Sequence, residues 1–273
     1  MKTKLESTKS LFLLIAPLVA GSLLGASPAL AATLASSKAE VNLNNFSQAP
    51  NAVETFTDTV VVAIAGNNSQ VGTDADAQAT FEFPSPETTQ AENISSSEAE
   101  GEGTNYLGIA QSIAGVIGYD FLIEEGETFN FDFDALLVLE TSVDNTQFEN
   151  ASASGLVDLK LYDTTDYANW IAIDSFILAG NLTTPGKGDF ITPEFSESIT
   201  VDTEIKTSFV ENQEYAEAQV SGSYSRYFDS LTYLTLVESK VNQAVVKTPE
   251  ASNLIGLLWF CLIVVRYGLR NKI

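Results

Sequence analysis

Three observations predict that most of this 273-residue chain folds as an all-β, antiparallel β-sandwich. Alternation of period two runs over Thr128 to Glu140, "TFNFDFDALLVLE": Phe129, Phe131, Phe133, Ala135 and Leu137 fall on one parity, and Asn130, Asp132 and Asp134 on the other. A pleated strand sends such residues to opposite faces, so the rings enter a core and the carboxylates meet water. Short β-branched and aromatic runs recur along the chain, separated by Gly, Asn, Asp and Thr turn signals. Helical periodicity is nearly absent outside the two ends, where a signal-peptide helix and a short transmembrane helix are expected.

At the start, Lys2, Lys4 and Lys9 precede an apolar stretch, Leu11 to Leu24, and then Ala29-Leu30-Ala31. A basic opening, a short apolar centre and a small-residue exit form a secretory signal peptide over residues 1–31, with signal peptidase cutting after Ala31. Residues 32–56 are polar and Asn-rich, and read as a flexible lead-in. The sandwich is expected over 57–247. Its first strand runs from Thr57 to Ala65, where Val60, Val61, Val62 and Ile64 are packed together, and Gly66-Asn67-Asn68 turns the chain. Residues 84–103, "PSPETTQAENISSSEAEGEG", hold five Glu, no basic residue and few apolar side chains, which predicts an acidic, mobile surface loop.

Further strands are expected at Phe81–Phe83, Val116–Ile123, Val157–Leu161, Trp170–Leu178, Ile199–Val201, Glu204–Val210, Gln219–Phe228 and Leu231–Val237. One helical turn is expected over Asn212–Ala218. Turns fall at Glu124-Glu125-Gly126, at Asp163-Thr164-Thr165-Asp166 and at Thr184-Pro185-Gly186-Lys187-Gly188.

Charge limits the partners. Of 36 acidic residues 34 lie between the two end segments, against only seven of the 13 basic ones. Such a surface repels phosphate backbones, so nucleic acid is not a partner. Cysteine limits the covalent architecture in turn: Cys261 is the sole Cys and sits in the tail, so the exported domain has no disulfide and must be held by its core.

The chain has no His, which removes Ser-His-Asp and Cys-His nucleophiles and His-ligated metals. Carboxylate pairs, Asp132 with Asp134 and Asp163 with Asp166, are what remains for hydrolytic chemistry, yet acids on a water face and in a turn suit any acidic sandwich. An enzyme is not expected, and no cofactor is expected either. Calcium is the one cation that the acids of Asp74-Ala75-Asp76 or Asp163–Asp166 suit, without a full twelve-residue calcium loop. Tyr162, Tyr167 and Trp170 flank the Asp163–Asp166 turn. They could form a platform under a sugar ring, or they could cap the hairpin and enter the core.

The sequence closes on Thr248-Pro249-Glu250-Ala251-Ser252, an apolar run from Leu254 to Val265, and the basic residues Arg266, Arg270 and Lys272. As a helix the 12-residue run spans only about 18 Å, against a hydrocarbon core of roughly 30 Å. Its basic end belongs on the cytoplasmic side, with the acidic domain outside.

This tail, residues 248–273, resembles the PEP-CTERM sorting tail of Gram-negative bacteria that make exopolysaccharide: Pro-Glu-Pro, a membrane helix, then a basic cluster. Pro249 and Glu250 match, and Ala251 stands where the second Pro is found. The resemblance implies recognition by a membrane-embedded exosortase, cleavage near Pro249-Glu250, and release to the cell surface or the exopolysaccharide matrix. The expected protein is therefore exported and non-enzymatic, and touches the membrane through its tail until it is processed. The alternative is a calcium- or carbohydrate-binding module held permanently by the short helix.

Overall fold

The computed structural model describes residues 33–248. Among them the strands are β1 (Thr33–Asn44), β2 (Ala52–Ala65), β3 (Gln70–Glu82), β4 (Gln90–Glu102), β5 (Tyr106–Ile123), β6 (Thr128–Ser142), β7 (Asn150–Asp163), β8 (Ile171–Thr184), β9 (Phe190–Phe195), β10 (Ile199–Val210), β11 (Gln213–Tyr227) and β12 (Thr232–Lys247). A 3-10 turn at Pro86–Thr88 is the helical element among these residues. The signal peptide with Ala29 and Ala31, the tail residues Pro249, Glu250, Arg266, Arg270 and Lys272, and both terminal helices lie outside the described residues.

Two antiparallel six-stranded sheets make a β-sandwich. One is ordered β10-β11-β6-β1-β4-β3 and the other β2-β5-β12-β7-β8-β9. Strands β4 and β1 lie across from β5, β12 and β7. Only β3–β4, β7–β8, β8–β9 and β10–β11 pair with a neighbour in sequence, so the central ladders join distant segments.

The alternation in β6 is realised as read: Phe129, Phe131, Phe133, Ala135, Leu137 and Leu139 are buried. Their rings join Phe46, Phe121 and Tyr224. Phe131 lies opposite Tyr224 in the ladder, and these two rings stack at 5.2 Å. Phe133 meets Phe176 of the other sheet at 4.8 Å.

Apolar packing is interrupted midway along the strands. The aromatic-rich cluster takes Ala39, Val41 and Leu43 of β1, Ala91 of β4, Val116 of β5, and Leu234 and Leu236 of β12. A smaller cluster takes Ala35, Ala99, Ala110, Ala244 and Val246 of the same four strands. Between them every strand turns polar side chains inward: Ser37 on β1, Asn93, Ser95 and Ser97 on β4, Ser112 on β5, and Glu238, Lys240 and Asn242 on β12, all buried.

That polar layer explains two corrections, and a third lies on β11. Residues 32–56 are no flexible lead-in: Thr33–Asn44 forms β1, between β6 and β4, and β2 begins at Ala52. Residues 84–103 are not a mobile loop: Gln90–Glu102 is β4, paired on both sides. Both strands alternate correctly, but hydropathy scores them as loop: the inward residues of β4 are Ala, Ser, Asn and Gly, and those of β1 are Thr, Ala and Ser until Val41 and Leu43. Asn212–Ala218 is no helical turn either, because Gln213 begins β11 and buries Ala216 and Ala218 at period two.

Phe131 is 1 % exposed and touches the rings of Phe46 and Tyr224 as well as Phe129 on its own strand, whereas Phe209 on the edge strand β10 is 47 % exposed. Phe131→Ala is expected to lower the unfolding free energy in urea by about 3–5 kcal/mol. Phe209→Ala should change it by less than about 1 kcal/mol.

Candidate functional site

The turn joining β7 to β8 carries the residues that the sequence marks for ligand binding. Its backbone is fixed by its own side chains. Asp163 Oδ1 accepts from Thr165 N–H at 2.9 Å, and Asp166 Oδ1 accepts from Ala168 N–H at 3.0 Å. Such Asx turns let a short acid replace a missing ladder bond. Thr164 is buried and anchors the turn to β12, donating its N–H to Tyr233 O at 2.8 Å.

The aromatics here do not enter the core. Tyr167 is 65 % exposed and Trp170 45 %, and Ile171 beside them is exposed as well. Tyr162 and Trp170 meet across the hairpin with ring centroids 5.9 Å apart, and Tyr167 lies 6.4 Å from Tyr233. The turn is too short to fold these rings back under the sheets, so they cap it from outside. They form a tilted aromatic surface beside two acids, each of which has one oxygen engaged by the turn backbone.

The other acid pairs face solvent from the first sheet. Asp132 Oδ2 accepts from Asn45 Nδ2 at 2.8 Å, and Asp134 Oδ1 accepts from Ser221 Oγ at 2.6 Å. Further along, Asp74 pairs with Glu98, which pairs with Ser36, which pairs with Glu140. Partial burial, then the like charges of Glu100, Asp74 and Glu140, push the Glu98 carboxyl up from its usual range. No group of three or more Asp, Glu, Cys or His is arranged to hold a metal ion among the described residues.

Sequence reasoning missed the polar layer inside the sandwich. Glu238 and Lys240 are both fully buried, and Lys240 Nζ donates to Glu238 Oε1 at 3.4 Å. The other carboxylate oxygen, Oε2, takes Asn93 Nδ2 from β4 in a very short contact. Asn242 is fully used: its Nδ2 donates to Ser95 O at 3.0 Å, and its Oδ1 accepts from Ser37 Oγ at 2.7 Å. Gly155 of β7 leaves room for this, since a Cβ there would come within 2.9 Å of Asn242 Oδ1. Asn93 Oδ1, by contrast, is buried with no partner, which costs about 1–3 kcal/mol for such an acceptor.

Burial dominates the electrostatics of this layer. It brings Lys240 down to about 8, against the opposing pull of Glu238. It also raises Glu238, although Lys240 and Asn93 oppose it. The signal was present in "LTLVESKVNQAVV", because Glu238, Lys240 and Asn242 share parity with Leu234, Leu236, Ala244 and Val246. It was masked because Val237, Val241 and Val245 make the opposite parity equally apolar.

A second inward Glu lies at the far edge of the layer. Glu214 of β11 is 4 % exposed and accepts from Thr184 Oγ1 at 2.7 Å and Thr141 Oγ1 at 3.4 Å. Burial raises its carboxyl, more than the two hydroxyls lower it.

Thr248, one residue beyond β12, is buried. Its N–H donates to Tyr106 O at 3.1 Å, and its Oγ1 accepts from Tyr106 N–H at 3.1 Å. Pro249 is the next residue in the sequence.

No family profile and no curated protein sequence matches this chain. Among solved structures, the translocator domain of autotransporter NalP from Neisseria meningitidis aligns over 74 % of this chain and 90 % of its own, at 12 % identity. Its TM-score of 0.18 carries no argument about fold or function.

The Glu214 shift has a definite sign. A folded carboxyl raised above 4.5 contributes stability that is complete below that pH and is lost as pH rises through the folded value. The melting temperature of Glu214→Gln is expected to fall less steeply than that of the wild type between pH 4.5 and pH 7, as read by calorimetry in one buffer series.

Proposed function

We propose that this is a non-enzymatic, exported β-sandwich protein of the cell surface or exopolysaccharide matrix of a Gram-negative bacterium. In this reading signal peptidase removes residues 1–31, and an exosortase processes the tail that resembles a PEP-CTERM segment. The observation that carries it is the junction at Thr248. The double hydrogen bond to Tyr106 holds Thr248, the residue that immediately precedes Pro249-Glu250 in sequence, against β5. A proline has no N–H to add to a ladder and biases the residue before it toward extended backbone, and a cut at Pro249-Glu250 falls beyond every strand among the described residues.

The basic residues Arg266, Arg270 and Lys272 then keep the tail's end on the cytoplasmic side while the acidic domain is outside. Replacing both Pro249 and Glu250 with Ala is expected to leave an uncut, membrane-bound precursor, detected by fractionation and by mass spectrometry of the carboxyl end. A variant that matures and leaves the membrane like the wild type would contradict the sorting reading.

A second reading is favoured by one observation: Tyr167 and Trp170 cap the turn from outside and stay exposed as a surface. Rings set beside Asp163 and Asp166 suit the apolar face and hydroxyls of a sugar, which makes the turn a carbohydrate-binding surface. Trp170→Ala is expected to abolish glycan-array binding by the mature domain while leaving its melting temperature within about 2 °C, as for a surface substitution. Absence of glycan binding by the wild type leaves the first reading standing alone.

A further inference from the structure

We propose that Lys240 and Asn93 react with each other inside the folded sandwich, joining Lys240 Nζ to Asn93 Cγ in an amide bond that ties β12 to β4 across the two sheets. This goes beyond the sorting reading and does not rest on it.

The arrangement brings together what such a reaction needs. An amine and a carboxamide from opposite sheets sit on the two oxygens of one carboxylate, Lys240 Nζ on Glu238 Oε1 and Asn93 Nδ2 on Oε2. All three side chains are buried, so water competes neither as nucleophile nor as base. Asn93 Oδ1 has no partner, so the amide is held by one end only. The neighbouring Asn242 is different: Ser37 and Ser95 satisfy it at both ends, and it stays a structural residue. Lys160 also differs, since it pairs with Asp158 on the outer face.

Desolvation supplies the protonation states. A lysine is a nucleophile only as the free amine, and removal from water favours that form. Lys240 is lowered and Glu238 raised by the same burial, which moves the pair from ammonium and carboxylate toward amine and carboxylic acid. A half-turn of the Asn93 amide exchanges Oδ1 for Nδ2 at Glu238, where Oδ1 accepts from the carboxylic acid and Cγ becomes more electrophilic.

The step balances without any further reactant. The lone pair of Nζ adds to Cγ, and one Nζ proton passes through the Glu238 carboxyl to Nδ2. The Cγ–Nδ2 bond breaks, ammonia leaves, and Glu238 returns to its starting form. Amine and primary amide have become secondary amide and ammonia, with no oxidation, metal or nucleotide. The product holds a neutral amide where the free side chains would keep an ion pair in the core, an arrangement that is often unfavourable when buried. A domain that carries no Cys among residues 33–248 thereby gains a covalent cross-link.

The full chain, expressed and purified in its folded form and then denatured, is expected to be lighter than its sequence by one ammonia, about 17 Da, in intact mass spectrometry. A tryptic map should contain a branched peptide joining the segments with Asn93 and Lys240. Lys240→Arg and Asn93→Ala are expected to restore the full mass, and Glu238→Gln to leave most of the protein unlinked. Should those variants fail to fold, the wild-type map decides alone. Asn93 and Lys240 recovered in separate linear peptides, or a mass deficit mapped to another site, would overturn the proposal.

Discussion

Burying Glu238 and Lys240 side by side, in the middle of a sandwich, constrains everything around them. An ion pair away from water is tolerated only when its remaining hydrogen-bonding capacity is met, and the partners here come from the opposite sheet. Asn93 reaches Glu238 from β4, while Ser37 of β1 and Ser95 of β4 close around Asn242 two residues further along β12. Slipping any of these strands by one residue would reverse its faces, sending Glu238 or Asn93 outward and an apolar neighbour into the polar layer. The layer therefore fixes how the two sheets are registered, which nonspecific apolar packing would leave loose.

The two hydrophobic clusters divide the remaining work. The larger one, with Phe46, Phe121, Phe129, Phe131 and Tyr224 in mutual contact, supplies most of the buried area at the end nearest the β7–β8 turn. The smaller one, built on Ala35, Ala99, Tyr106, Ala110 and Ala244, packs where the chain exits. Tyr106 links that cluster to both limits of the described chain: its hydroxyl donates to Thr33 Oγ1 at 2.5 Å, and its backbone holds Thr248. The aromatic turn and the end of β12 thus occupy opposite ends of the central strands.

Legibility in the sequence followed side-chain size and polarity. Strand β6 announced itself because its inward residues are Phe and Leu and its outward ones Asn and Asp. Strands β1 and β4 keep the same period, yet turn mostly Ala and Ser inward, with Asn93 on β4 and only Val41 and Leu43 larger on β1, so hydropathy alone makes them a lead-in and a loop. Strand β12 was seen only as far as Val237, because beyond it the buried parity carries Glu238, Lys240 and Asn242. The β7–β8 turn lies where its Asp and Thr residues mark it, but the exposure of Tyr167 and Trp170 could not be inferred from their size. Charged and amide side chains inside a sheet defeat pattern reading for the same reason that they attract chemistry: they are stable there only in one another's company.

The account stands or falls on that interior contact. A crystal structure of the mature protein, at a resolution that separates a bond from a van der Waals contact, tests it most directly. Continuous density from Asn93 Cγ to Lys240 Nζ, with Glu238 against the new amide and no water in the layer, is the result expected. Two separate side chains, or Lys240 turned out into solvent, would contradict it.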